Sequence, residues 1–343
     1  MLTTEPQPGI MLYSFATAQA DEVYREVRKA SSAGLDAFFI AGGPHPSARP
    51  AEVLEHFDYV VIGEGEETLP ELLRAIRAGE DPLSVPGIAY KRDGAFTFTG
   101  KRAPVDLDMY PPFEPPIFSP IEISRGCPWG CAFCQTPSLF GRKMRHRSVP
   151  VILRYAQFYS DLRFTSPNAL AYGSDGRTPR LDKLELLLRS LSKLGKRIFL
   201  GTFPSEVRPE FVSERALELI LDFCYNRVLG IGGQSGSKRV LEAVGRGHGV
   251  EEIETACDLC LEYGVTPNLD LIFGLPIELE DDQIETMELA QRVINKGGRV
   301  RAHYFTPLPG TPLESFAPAP LSLSVAKELG RLALEGKLTG RWA

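Results

Sequence analysis

Ile121-Glu-Ile-Ser-Arg-Gly-Cys127-Pro-Trp-Gly-Cys131-Ala-Phe-Cys134-Gln135 is the stretch on which the reading of the whole chain turns. It runs from a short apolar, strand-like segment straight into three cysteines within eight residues. Thiolates so spaced make a metal site. A structural zinc closes with four ligands, usually in two pairs, and no second Cys/His pair follows at finger spacing. Soft sulfur donors then point to iron–sulfur chemistry. Three cysteines on a cubane leave one iron open to a cofactor or substrate. Gly126, Pro128 and Gly130 shape a loop that wraps an object, which three merely buried cysteines would not need.

Outward from that loop the composition is ordinary for a globular protein. The 343 residues, 43% apolar and 24% charged, suffice for two domains and a substantial core. A net charge of −6 argues against a broad phosphate-binding surface, so no nucleic-acid partner is expected. The remaining cysteines, Cys224, Cys257 and Cys260, form no disulfide framework and fit a reducing, cytoplasmic setting. Cys257 and Cys260 sit one helical turn apart and read as core thiols. No leader pattern opens the chain and no apolar run approaches ~20 residues, so no membrane is expected.

Ahead of the loop, strand-like segments at 9–16, 36–41 and 57–62 alternate with helical ones at 20–33, 51–56 and 69–78. Such alternation predicts a parallel, doubly wound sheet with its ligand outside the carboxyl ends of the strands. Residues 81–118 read as a small hairpin and a Pro-rich connector. Beyond the loop, helices alternate with strands at 121–124, 162–164, 197–201, 227–231, 266–273 and 299–306. Six such units are too few for a closed eight-stranded barrel. An amphipathic helix over 321–338 ends the chain. The expected division is 1–80, 81–118, 119–315 and 316–343.

The spacing Cys-x-x-x-Cys-x-x-Cys, with Phe133 just before the third cysteine, resembles the cluster loop of the radical S-adenosylmethionine enzymes. The resemblance implies a 4Fe–4S cluster on Cys127, Cys131 and Cys134, with S-adenosylmethionine on the open iron, and an open (β/α)6 partial barrel. It implies S-adenosylmethionine contacts from Phe133, from Tyr172, Gly173 and Ser174 where the family has Gly-Gly-Glu, from Ser205 and Glu206, from Gln234 and Ser235, and from Ile272. The turns Tyr13-Ser14-Phe15-Ala16, Gly42-Gly43-Pro44-His45-Pro46 and Gly63-Glu64-Gly65-Glu66-Glu67-Thr68 resemble the cobalamin-binding domain that precedes the loop in one large subgroup. They imply cobalamin contacts from Ser14, Phe15, Ala16, Gly42, Gly43, Pro44, His45, Gly63, Glu64, Gly65 and Glu66. With about three strands before the connector, this domain reads as truncated. It has no Asp-x-His-x-x-Gly signature, so no histidine is expected on cobalt, and His45 reads as a structural or edge contact.

Taken together, the resemblance implies radical methylation of an unactivated carbon, using S-adenosylmethionine, methylcobalamin and an external electron donor. The compact first domain, Phe203-Pro-Ser-Glu-Val-Arg-Pro and Gly-Gly-Gln-Ser-Gly-Ser followed by Arg246-Gly-His248 look most like an archaeal branch. One member is similar to the glutamine C-methyltransferase that modifies methyl-coenzyme M reductase, which implies a protein or peptide substrate. A cobalamin-dependent radical cyclase, a small-molecule methylase and a non-catalytic iron–sulfur and cobalamin carrier are the alternatives. Methylthiolation would call for three further clustered cysteines, which the chain does not show.

Overall fold

The computed structural model describes residues 8–342. They fall into two compact units: the first runs to Tyr110 and includes Ser138–Phe140 and Leu308–Glu314, and the second comprises the rest.

The first unit is a five-stranded sheet in sequence order, β1 (Gly9–Ser14), β2 (Ala37–Gly42), β3 (Tyr59–Val61), β4 (Ile88–Arg92) and β5 (Ala95–Phe98). The first three strands are parallel, as their helical connections require. The helix Ala20–Ser32 buries Val23, Tyr24 and Val27 with Tyr13, Phe39 and Val60, and the helix Gly65–Ala78 buries Leu72 and Ala75 with Ile40, Val61 and Ile88. The hairpin expected in the connector is instead part of this sheet. β4 pairs antiparallel with β3, and Ile88, Ala89 and Tyr90 are buried on both faces. The helix expected over 51–56 is a shorter one, Pro50–Val53, and the preceding Gly-Gly turn leads into a helix of its own, Pro44–Ala48; each opens on a proline, which fits a helix's first turn. The third turn is itself a helix start at Gly65 rather than at Leu69, with Glu64 at the N-cap and Glu66 and Glu67 facing the positive end of the helix dipole.

The second unit holds β6 (Ile121–Glu122), β7 (Ser124–Arg125), β8 (Arg145–His146), β9 (Asp161–Thr165), β10 (Arg197–Phe199), β11 (Val228–Gln234), β12 (Thr266–Phe273), β13 (Arg299–Tyr304) and β14 (Leu338–Arg341). The parallel orders are β6-β9-β10 and β11-β12-β13-β14. Between β10 and β11 the ladder is completed by Tyr225 N–H to Ile198 O (2.8 Å), Gly230 N–H to Gly201 O (2.7 Å) and Asn226, whose amide spans Leu200 N (3.1 Å) and Leu200 O (3.0 Å). The six expected βα strands are all present. β14 is an addition: the tail read as helix alone is a helix, Leu323–Leu334, followed by a strand parallel to β13. Gly340 lets it approach, since a Cβ there would lie 1.9 Å from Ala302 O.

Candidate active site

The cysteine loop leaves β6 and the ribbon β7–β8 through Gly126, at φ +85°, where a Cβ would lie 2.3 Å from Lys143 O. Only glycine passes there. Cys127 N–H donates to Gly141 O (3.1 Å), Cys134 N–H to Cys131 O (2.9 Å) and Ala132 N–H to Val244 O (2.9 Å), so the loop is tied within itself and to the segment before Arg246. Trp129 anchors its middle. Its Nε1–H donates to Gly176 O (2.9 Å), and its ring lies between the guanidinium groups of Arg208 (3.9 Å from the centroid) and Arg177 (4.6 Å). Such stacking is attractive through the ring's negative face.

All three cysteines line one cavity of about 180 Å³ with Trp129, Phe133, Glu206, Arg208, Gln234 and Arg246. Gln234 enters it from a bulge: the β11–β12 register slips between Gly232 and Gln234, and Gln234 takes φ +78°. Gly232 lies close beneath it: a Cβ there would meet Gln234 Nε2 at 2.7 Å and Arg246 Nη2 at 3.0 Å, so either side chain would have to shift. Arg246, 8% exposed, donates from Nη1 to Cys131 Sγ (3.6 Å) and from Nη2 to Gly232 O (2.5 Å), while its Nε has no partner among the described residues. Arg208, 4% exposed, donates to Arg246 O and to Glu210. Burial, then the charge of Arg246, holds Arg208 below its ordinary value, and the same causes push His248 down to about 3. Burial, then the neighbouring Cys134 and Cys131, raises the Cys127 thiol.

These observations fit an anionic group carried on three sulfurs. Two buried cations line the cavity with the three sulfurs, and metal binding would hold those sulfurs as thiolates. Among the described residues no Cys, His, Asp or Glu trio is set to hold a single ion. The three cysteines line one cavity.

Glu206, which lines the cavity, meets a charge cluster carried by β12 and β13. Arg301 on β13 donates to Glu206 and to both Asp270 oxygens (2.5 and 2.9 Å), and His303 Nε2 lies 3.6 Å from Asp270 Oδ1. Burial and the charge of Asp270 lift Glu206 to about 7 against the pull of Arg301 and His303.

Comparison with known proteins follows this division. Residues 121–290 match the Radical SAM superfamily, and residues 3–73 match the B12 binding domain. The chain carries a radical SAM domain and a B12 binding domain. An uncharacterized methyltransferase of Pyrococcus horikoshii is 25% identical over 333 residues, covering 90% of this chain and 69% of the relative. An uncharacterized protein of Methanopyrus kandleri is 25% identical over 341 residues, and this chain spans 82% of its own length but 63% of that relative's. The structure of the radical S-adenosylmethionine methyltransferase TsrM from Kitasatospora setae, with cobalamin and a 4Fe–4S cluster bound, shares the fold at a TM-score of 0.70 and 17% identity, covering 90% of this chain and 66% of TsrM. The two matched families are named for S-adenosylmethionine and for B12.

Within the radical SAM domain, Cys127, Cys131, Cys134, Phe133, Glu206 and Gln234 are brought together as the sequence suggests. The other expected S-adenosylmethionine contacts are engaged elsewhere. Tyr172 Oη donates to Arg147 O (2.7 Å), Gly173 N–H to His146 Nδ1 (3.2 Å) and Ser174 Oγ to Ala171 O (2.9 Å), so this segment buttresses the loop from behind. Ser205 Oγ donates to Ser166 O (3.1 Å), and Ser235 Oγ lies 3.1 Å from Thr286 Oγ1. Both serines are buried structural links. Ile272 stands opposite His303 in the β12–β13 register, two residues past Asp270. After the loop, Arg147 is 1% exposed and pairs with Glu122 (3.2 Å). Trp129, Arg208 and Arg246 line the cavity but were missing from the expected set; the available signals were a tryptophan inside the cysteine loop and an arginine between Gly245 and Gly247.

In the B12 binding domain the expected turns divide. Phe15 and His45 are buried, stacked at 5.7 Å between centroids. His45 Nε2 lies 3.0 Å from Tyr24 Oη and its Nδ1 3.2 Å from Thr17 Oγ1, so both ring nitrogens are engaged by protein. Gly43 serves loop packing, since a Cβ would lie 2.9 Å from Ser14 Oγ and 3.0 Å from Phe15 N. Gly42 meets only ordinary contacts with Val61, and Pro44 and Gly65 open the two helices. Ser14 and Ala16 are exposed, and Gly63, at φ +80°, has open space at its Cβ position. Glu64 accepts from Val105 N–H (2.9 Å), and Glu66 is half-buried.

Proposed function

We propose that the chain is a cobalamin-dependent radical S-adenosylmethionine methyltransferase acting on an unactivated carbon. The observation that carries this reading is the single cavity in which three cysteine sulfurs face Glu206, Gln234, Arg208 and Arg246, in a chain that also has a B12 binding domain. When bound, the cofactors supply an adenosyl radical that takes a hydrogen from the substrate and the methyl group that replaces it. The chain's own residues bind and orient. Cys127, Cys131 and Cys134 hold the cluster. Gln234, turned inward by the bulge, offers amide donors and an acceptor to a polar cofactor. Glu206, with its acidity weakened, gives or accepts a hydrogen bond near neutral pH, and Arg301 fixes its carboxyl. In the first domain Ser14, Ala16 and Gly63 are the expected contacts left open to a corrin, and His45 stays off cobalt.

The finer part of the reading is a glutamine of a protein chain, in methyl-coenzyme M reductase, as the methylated residue. The resemblance at 203–209 and 232–248 supports it. Anaerobic incubation with S-adenosylmethionine, methylcobalamin, reductant and a glutamine peptide deuterated at the attacked carbon tests both levels. Joint formation of 5′-deoxyadenosine and S-adenosylhomocysteine supports the methyltransferase, and deuterium in the 5′-deoxyadenosine supports the peptide. Failure of every glutamine peptide alongside methylation of a small metabolite would remove the protein substrate alone.

A further inference from the structure

Arg246 is an unusual residue to find beside a thiolate cluster. It is nearly fully buried, it bonds no carboxylate among the described residues, and its Nη1 donates to Cys131 Sγ at 3.6 Å. A buried cation is costly unless an anion answers it. Arg208 sharpens the need, because it brings a second buried positive charge against the Arg246 carbonyl, and among the described residues Glu210 is the one carboxylate bonded to the pair. His248, neutral and buried, adds no charge. The geometry is also fixed. Val244 O accepts from Ala132 N–H (2.9 Å), Gly245 lies close enough to Gly130 that a Cβ would be 3.5 Å from its carbonyl oxygen, and Nη2 is held on Gly232 O. Swinging the Arg246 side chain to solvent would break its bonds to Cys131 Sγ and Gly232 O.

We propose that Arg246 is a positioning residue that sets the redox balance of the cluster, through a charged N–H···S contact to Cys131. This rests on the cluster occupancy proposed above. The group on the three sulfurs is negatively charged and gains one further negative charge when an external one-electron reductant reduces it. A fixed cation beside one sulfur stabilises the reduced form more than the oxidised form, and hydrogen bonds to cluster sulfurs act in the same direction. The nearby Arg208 holds Arg246 in place through its carbonyl and adds a second, more distant charge of the same sign.

The test is a reductive titration, without S-adenosylmethionine, of the full chain after anaerobic reconstitution, with iron and sulfide measured first. Wild-type protein without iron would refute the cluster, and only then would Arg246 have nothing to act on. With iron loaded, Arg246→Met is expected to lower the reduced-to-oxidised ratio at fixed potential about tenfold, equivalent to ~59 mV for a one-electron couple. Arg246→Lys, which keeps the charge, is expected to recover most of that ratio, and Arg246→Gln, which keeps amide donors without charge, is not. An unchanged ratio in a fully loaded Arg246→Met protein would overturn the proposal, and so would equal shifts in the Lys and Met proteins. Iron loss in all three variants would also overturn it, by placing Arg246 in cluster assembly.

Discussion

Glu278 is 7% exposed and accepts from Gly274 N–H (2.6 Å) on one oxygen, while the other has no partner among the described residues. Burial lifts it from 4.5 to about 7. Between those values the folded chain keeps a proton that the unfolded chain has lost, so stability falls as pH rises through the window and levels off above it. Glu278→Gln removes that loss. Its advantage over wild type should grow from pH 4.5 to about 7, toward an upper bound on the order of 3 kcal/mol, and parallel melting curves across that range would refute the assignment. His45→Ala should cost about 1–3 kcal/mol in denaturant unfolding, because it strands partners in the interior, yet leave the spectrum of bound cobalamin unchanged. A lost nitrogen-ligand signal would instead put His45 on cobalt. The sequence shows the cysteines plainly, because their spacing is local. It hides Arg246, whose contact with Cys131 spans 115 positions and exists only once two distant loops converge.

At the scale of elements, glycines decide what can approach the loop. Gly247 sits at φ +75°, and a Cβ there would fall 2.2 Å from the Trp129 ring, whereas Gly245, at φ +67°, has its nearest neighbour at 3.5 Å. Both alanine variants carry backbone strain of roughly 1–2 kcal/mol, but only Gly247→Ala must also displace the tryptophan. Reconstitution should therefore yield clearly less iron for Gly247→Ala than for Gly245→Ala, and equal yields would show that Trp129 does not shape the loop. The six βα strands were legible because each is an apolar run bounded by turn residues. β14 was not: of Leu338–Arg341 only Leu338 is buried, so four residues carry no readable alternation. The hairpin β4–β5 was seen as a hairpin, but nothing local says which sheet it joins.

For the molecule as a whole, the candidate residues for the two metal cofactors do not overlap. The exposed turns with Ser14, Ala16 and Gly63 belong to the first unit, and the cysteine cavity to the second. Replacing Cys127, Cys131 and Cys134 by Ala should abolish iron loading and S-adenosylmethionine cleavage while cobalamin still binds, measured by iron assay, 5′-deoxyadenosine release and absorption of the desalted complex. Full iron retention would sink the cluster assignment, and parallel loss of cobalamin would show that the two sites depend on each other. The added strand β14 has a further consequence, for association between chains. An open parallel ladder is a template on which other strands aggregate, and proteins blunt it with short, charged edges. Here the run begins with the two residues of β6 and ends with the four of β14, the latter flanked by Lys337 and closed by Arg341. The barrel thus meets its neighbours with stubs too brief and too charged to recruit a strand.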